Sequence, residues 1–205
     1  MRLNREFFNR NTVVVARELL GKYLVRRVVE NRAALPNSQK PDFHYPVERI
    51  IIAKITETEA YCGPNDLACH ASKGMTPRTK VMFGPPGHAY IYLIYGMYHC
   101  LNIVTEKERW PAAVLIRAAE ITNHKLQISN KFQNLKIKNP KLKGPGILCR
   151  ELKIDRTFNT TDICGSKELW IEDGEKILSS RIKKSKRIGV EYAGKWKDKL
   201  WRFYL

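Results

Sequence analysis

VERIIIAKITETEAY, residues 47–61, opens on a block of isoleucines and closes on carboxylates alternating with smaller residues. β-Branched side chains suit a pleated, half-buried surface, so the segment reads as one long strand over 47–61. Side chains of a strand alternate between its faces. Glu57, Glu59 and Tyr61 therefore project from one face, and Thr56, Thr58 and Ala60 from the other. A second apolar run, AAVLIRAA at 112–119, contains a single charge, Arg117. An unpaired interior charge is strongly destabilising, and Glu57 and Glu59 are the obvious anions for it. The pair is either purely structural or part of a site in which Glu59 activates water as a general base.

Outward from this strand, 12–20 reads as a short helix capped by Thr12 and stopped by Gly21. A valine-rich strand over 23–29 follows. The proline-containing stretch 30–46 reads as a surface loop, a hairpin excursion between two strands. Further strands are expected over 89–95, 99–105 and 112–119. The lysine- and asparagine-rich stretch 120–140 reads as helix and then loop, and Gly144-Pro145-Gly146 precedes a short helix through Leu152. Strands near 168–171, 187–192 and 200–204 complete the chain. With no repeat, linker or composition break, residues 1–205 read as a single compact α+β domain. Its core is a largely antiparallel, curved β-sheet with peripheral helices.

The chain carries 37 Lys+Arg against 20 Asp+Glu, a formal charge of +17. Such an excess concentrates and steers polyanions, which ranks nucleic acid above a merely solvated basic face or a membrane surface. No stretch approaches the ~20 apolar residues of a membrane span, and the first ten residues lack secretory-signal character. A monomeric, cytoplasmic protein is expected. Five scattered cysteines without a C-x-x-C pair indicate reduced thiols rather than zinc. Asp66, Asp155, Asp162 and Asp173 are too dispersed to suggest paired metals, so no metal is expected.

Aromatic and polar residues crowd into 56–102. Tyr90 and Tyr92 share a strand face, and Tyr95 lies beside Gly96, where a tight turn pushes it outward. Tyrosines at period two are either ordinary packed sheet residues or platforms on which bases stack. An exposed ring at a turn is suited to enter a duplex as a wedge. His70 is a base contact or a structural histidine, and Asn102 either reads a base edge or satisfies backbone. Gly144 and Gly146 before a helix weakly suggest phosphate binding. Lys136, Lys138, Lys141, Lys143 and the basic run 181–187 are candidate phosphate contacts or solvated surface.

ETEAY at 57–61, DxAxH at 66–70, TPR at 76–78, MFGPPG at 82–87, YIYLIYGM at 90–97, CLNIV at 100–104 and AAVLIRA at 112–118 carry a resemblance. GPG at 144–146, RIGV at 187–190 and LWRFY at 200–204 continue it. In order and over nearly the whole chain, these motifs resemble the alkyladenine (3-methyladenine) DNA glycosylases. The resemblance implies one domain, without metal or cofactor, that flips a damaged purine out of double-stranded DNA and cleaves its N-glycosidic bond with water. It further implies that Glu59 deprotonates the water, with Arg117 and the Ile188 carbonyl positioning it. Tyr61, His70 and Tyr92 would sandwich the flipped base, Tyr95 would fill the gap in the minor groove, and Asn102 would disfavour guanine. Thr76, Arg78, Met97, Tyr98, Lys143, Gly144 and Gly146 are the corresponding expected DNA-backbone contacts. Two departures stand out: a long 30–46 loop, and Ile121 where the family commonly has proline, within the Lys/Asn-rich stretch. The competing reading is a non-catalytic basic nucleic-acid-binding module. A metal-dependent nuclease is disfavoured by the missing acidic cluster. The order of preference among 3-methyladenine, 7-methylguanine, hypoxanthine and ethenoadenine depends on pocket dimensions that motifs do not encode.

Overall fold

A computed structural model describes residues 1–32, 45–128, 131–135 and 141–205. Two short helices open the chain, α1 (Arg5–Phe8) and α2 (Thr12–Glu18), followed by β1 (Tyr23–Arg32) and β2 (Tyr45–Tyr61). Next come β3 (Ala89–Ile94), β4 (Tyr98–Thr105), β5 (Ala112–Ile128), β6 (Lys131–Leu135) and β7 (Lys141–Lys143). Helix α3 (Pro145–Glu151) precedes β8 (Leu169–Glu172), β9 (Lys183–Ser185) and β10 (Arg202–Tyr204). One sheet contains all these strands. Its main path runs β3-β4-β5-β2-β1-β8, with β10 joining β2 to β9, and with β6 and β7 on β5. Each pairing among the described residues is antiparallel. The expected α+β class, a largely antiparallel sheet with peripheral helices, is thus observed.

The long strand read from 47–61 is β2, two residues longer at its start. It lies between β5 on one side and first β1, then β10, on the other. Its pairing with β5 slips at Thr56 and again at Arg117, neither of which has a partner in register. Such bulges sharpen twist and re-aim side chains, and here they fall beside the two glutamates. Thr58 points the opposite way, and its hydroxyl donates to the Ala16 carbonyl at 2.7 Å, tying β2 to α2. Helix α2 packs on β2 and β5, and α3 on β4 and β5. Phe8, Leu19, Ile55, Leu101, Ile116 and Leu148 are buried together in that layer.

Several local expectations are corrected. The cap of α2 is Asn11, whose side chain accepts from the Val13 and Val14 amides, and the helix stops at Glu18. The Thr12 hydroxyl instead donates to Glu106 at 2.7 Å and meets Thr105 at 3.0 Å. The flanks of the 30–46 stretch are strand, paired as far as Arg32 with Tyr45; the remainder, 33–44, lies outside the described residues. The stretch 120–128 is not a helix. It continues β5, paired with β2 as far as Gln127 opposite Glu48, and 131–135 folds back on it as β6. Open hydrogen bonds along a neighbouring strand outweigh the polar composition that suggested a helix. Lys136 and Lys138 lie outside the described residues. The 187–192 stretch forms no strand, with Gly189 at φ +73° in a loop. Among the described residues, no helix is long and apolar enough to cross a membrane.

Candidate active site

Glu59 is completely buried. Its Oε2 accepts from the Tyr61 hydroxyl at 2.8 Å, and its Oε1 from the Ile188 amide at 2.9 Å. Arg117 Nη1 lies 3.5 Å from the same Oε1, while its Nε donates to Glu57 Oε1 at 2.9 Å. The predicted pairing of Arg117 with Glu57 and Glu59 is therefore present. Burial pushes the Glu59 carboxyl above its ordinary range, outweighing the downward pull of Arg117, the Ile188 amide and the Tyr61 hydroxyl. A carboxylate held this way is a stronger proton acceptor than one in water. Ile188 meets Glu59 through its N–H; the carbonyl, for which the resemblance implied a contact to water, is a separate group of the same residue.

Beside Glu59 opens a cleft of about 510 Å³ lined by Tyr61, His70, Tyr90, Tyr92 and Asn102. That volume is in the range of pockets for small flat ligands and accommodates a purine. A cavity of about 430 Å³ between α2 and residues 173–182 contains none of the candidate residues. His70 begins a short 3₁₀ turn, and its Nδ1 pairs with the Tyr90 hydroxyl at 2.9 Å. It meets Tyr92 edge-on, with ring centroids 4.6 Å apart. Burial, helped by Arg78, pushes the imidazole down to about 4, so the ring is neutral at physiological pH. Asn102 Nδ2 donates to the carbonyls of Tyr90 and Cys100, at 3.1 and 3.3 Å. The amide is thus oriented by the backbone it satisfies, at the wall of the cleft.

At the rim, Tyr95 occupies the tip of the β3–β4 hairpin and is 83% exposed. It stands at φ +53° and Gly96 at φ +69°, the backbone of a type I′ turn. Such a conformation is uncommon for a bulky residue and holds the ring away from the sheet. Met97 and Tyr98 flank it, both exposed. A side chain at Gly146 would come within 2.9 Å of Tyr98, so glycine lets α3 approach the hairpin. Gly144 begins α3 at φ +97°. Lys143, exposed on β7, is in register with Ala118. Thr76 is exposed and its hydroxyl meets Thr79 at 3.0 Å. Arg78 does not stand clear of the cleft: its guanidinium lies over the Tyr92 ring, 4.9 Å from the centroid.

Sequence reasoning left the roles of two contributors unread. Tyr90, read there as a packed sheet residue or a stacking platform, holds the His70 ring through its hydroxyl. Arg187, grouped above with candidate phosphate contacts, is buried against Asp66, with hydrogen bonds of 2.6 and 2.9 Å. The signals for it were its place at the end of a basic run and its position as the first residue of RIGV at 187–190.

A sheltered carboxylate beside a purine-sized aromatic cleft, on a strongly basic chain, is the arrangement of an enzyme that acts on a nucleobase. The sequence model of the methylpurine-DNA glycosylase (MPG) family matches residues 43–205, and the chain belongs to that family. It is 48% identical to a protein of Methanocella arvoryzae named "Putative 3-methyladenine DNA glycosylase", over 98% of this chain and 91% of the relative. Proteins of the same name from Legionella pneumophila (strain Corby) and Desulfitobacterium hafniense are 43% and 44% identical. Those two matches span all of this chain and 94% and 95% of the relatives.

Proposed function

We propose that this protein is a monomeric, monofunctional DNA glycosylase that flips alkylated or otherwise damaged purines, 3-methyladenine among them, out of duplex DNA. It hydrolyses the N-glycosidic bond and leaves an abasic site. The observation that carries this reading is that buried Glu59 is held by two residues that line the aromatic cleft, Tyr61 through its hydroxyl and Ile188 through its amide. Glu59 takes a proton from water while the water oxygen bonds to C1′. The bond from C1′ to the purine breaks, and its electron pair leaves with the base. Arg117 and Ile188 orient the carboxylate and the water. Tyr61, His70 and Tyr92 stack on the flipped base, and a base made cationic by alkylation stacks better on tyrosine and leaves more readily.

Asn102 opposes the 2-amino group of guanine, and Tyr95 fills the vacated gap. Met97, Tyr98, Lys143, Gly144 and Gly146 border the hairpin and α3, where the DNA backbone would run. Water activation rests on Glu59, so the reaction requires no metal. The test is base release by purified protein in EDTA from duplexes carrying 3-methyladenine, hypoxanthine or ethenoadenine. Release of free base with an intact, abasic strand is expected. No release from any of them would leave a DNA-binding module, and release only with added divalent metal would overturn the mechanism.

A further inference from the structure

Glu59 is the inner end of a line of alternating charges that reaches the surface. Arg117 Nη1 is 3.5 Å from Glu59, and Arg117 Nε donates to Glu57 Oε1 at 2.9 Å. The same Glu57 oxygen accepts from Arg202 Nε at 2.7 Å. Exposure of the side chains rises outward, from 0% at Glu59 through 13% and 18% at Arg117 and Glu57 to 25% at Arg202. The fold builds this line deliberately. Arg202 on β10 is in register with Glu59 on β2, and the bulge leaves Arg117 on β5 unpaired beside Glu57.

We infer that Glu57 and Arg202 are positioning residues for the glycosylase reaction: they hold Arg117 by its Nε so that one Nη faces Glu59, and thereby control the charge state of Glu59. This inference rests on Glu59 being the general base. Two carboxylates so close share one arginine, and the outer arginine neutralises the outer carboxylate. Arg117 then stays between the two instead of being drawn wholly to Glu57. The other groups facing Glu59 are the Tyr61 hydroxyl on its own strand, Cys100 on β4, and the Ile188 amide. The Arg187–Asp66 pair lies beyond the Tyr61 ring, with Arg187 4.8 Å above it. None of these contacts involves Arg202, so its influence on Glu59 passes through Glu57.

The test is the pH profile of single-turnover base release from a hypoxanthine duplex, with duplex affinity measured in parallel. Glu57→Gln removes a like charge from beside Glu59 and leaves Arg117 to Glu59 alone. The acid limb should move down by ~1 pH unit. Arg202→Gln leaves Glu57 unneutralised and competing for Arg117, and the limb should move up by a similar amount, with Arg202→Lys restoring it in part. In the double variant the limb should stay where Glu57→Gln put it, because Arg202 has lost the group it acts through. Far-UV circular dichroism of each variant over the same pH range separates acid unfolding from a true shift of the limb, and only limbs recorded where the variant is folded are compared. Unmoved limbs, or limbs that move the same way in both single variants, would overturn the inference. Retained activity in Glu59→Gln would instead overturn the reading beneath it.

Discussion

Asp66 and Arg187 meet through two hydrogen bonds, 2.6 and 2.9 Å long, and neither side chain has any exposed surface. Each also holds backbone. Asp66 accepts from the amides of Cys62 and Ala68, and Arg187 donates to the carbonyls of Ala60 and Trp196. The guanidinium lies between the rings of Tyr61 and Trp201, 4.8 and 5.1 Å from their centroids. One ion pair thus fixes the segment after β2, the wall ring Tyr61, and Ile188, the next residue, whose amide meets Glu59.

Breaking that pair should be far more damaging than removing a surface charge. Asp66→Asn leaves a buried guanidinium without its counter-charge, and a loss of ~3–5 kcal/mol is expected. Urea denaturation measures it directly. A loss below ~1 kcal/mol would mean that water or another anion reaches Arg187 in the variant.

The hairpin tip should trade stability against function. Tyr95 stands at positive φ, which strains a side-chain-bearing residue by ~1–2 kcal/mol and glycine hardly at all. Tyr95→Gly should therefore raise the unfolding midpoint. It should also slow base release from duplex DNA by ~10- to 100-fold while affecting release from single strands much less, because only a duplex leaves a gap to fill. Equal slowing on both substrates would remove the wedge role.

The histidine in the cleft makes a prediction with a definite sign. His70 is held at about 4 in the folded state against an ordinary 6.5. Between these values the unfolded chain binds a proton that the folded protein excludes, so stability falls as pH drops through that window. Melting curves from pH 7 to pH 4 should decline less steeply for His70→Gln than for the wild type. Parallel declines would show that the imidazole protonates in place.

Much of the frame was legible because strand alternation is local. The isoleucine block and its alternating tail give β2, and burial logic alone joins Arg117 to Glu57 and Glu59. The sandwich candidates Tyr61, His70 and Tyr92 became specific only through the motif resemblance, since each ring also suits a plain sheet. What stayed hidden was non-local. Asp66 and Arg187 lie 121 positions apart, and nothing in a basic run marks one arginine as interior. The strand over 120–128 was masked by its lysines and asparagines, because an edge that needs pairing is a property of the neighbour β2. The bulge that sets Arg117 beside Glu57 is likewise a feature of register, which a single strand does not reveal.

The measurement closest to the central claim is single-turnover base release by Glu59→Gln on a lesion duplex, with binding followed separately. The account predicts a rate ~10²- to 10⁴-fold lower, with lesion-duplex affinity nearly unchanged, since a neutral amide fills the same space but cannot accept the proton. Release at the wild-type rate by this variant would contradict it.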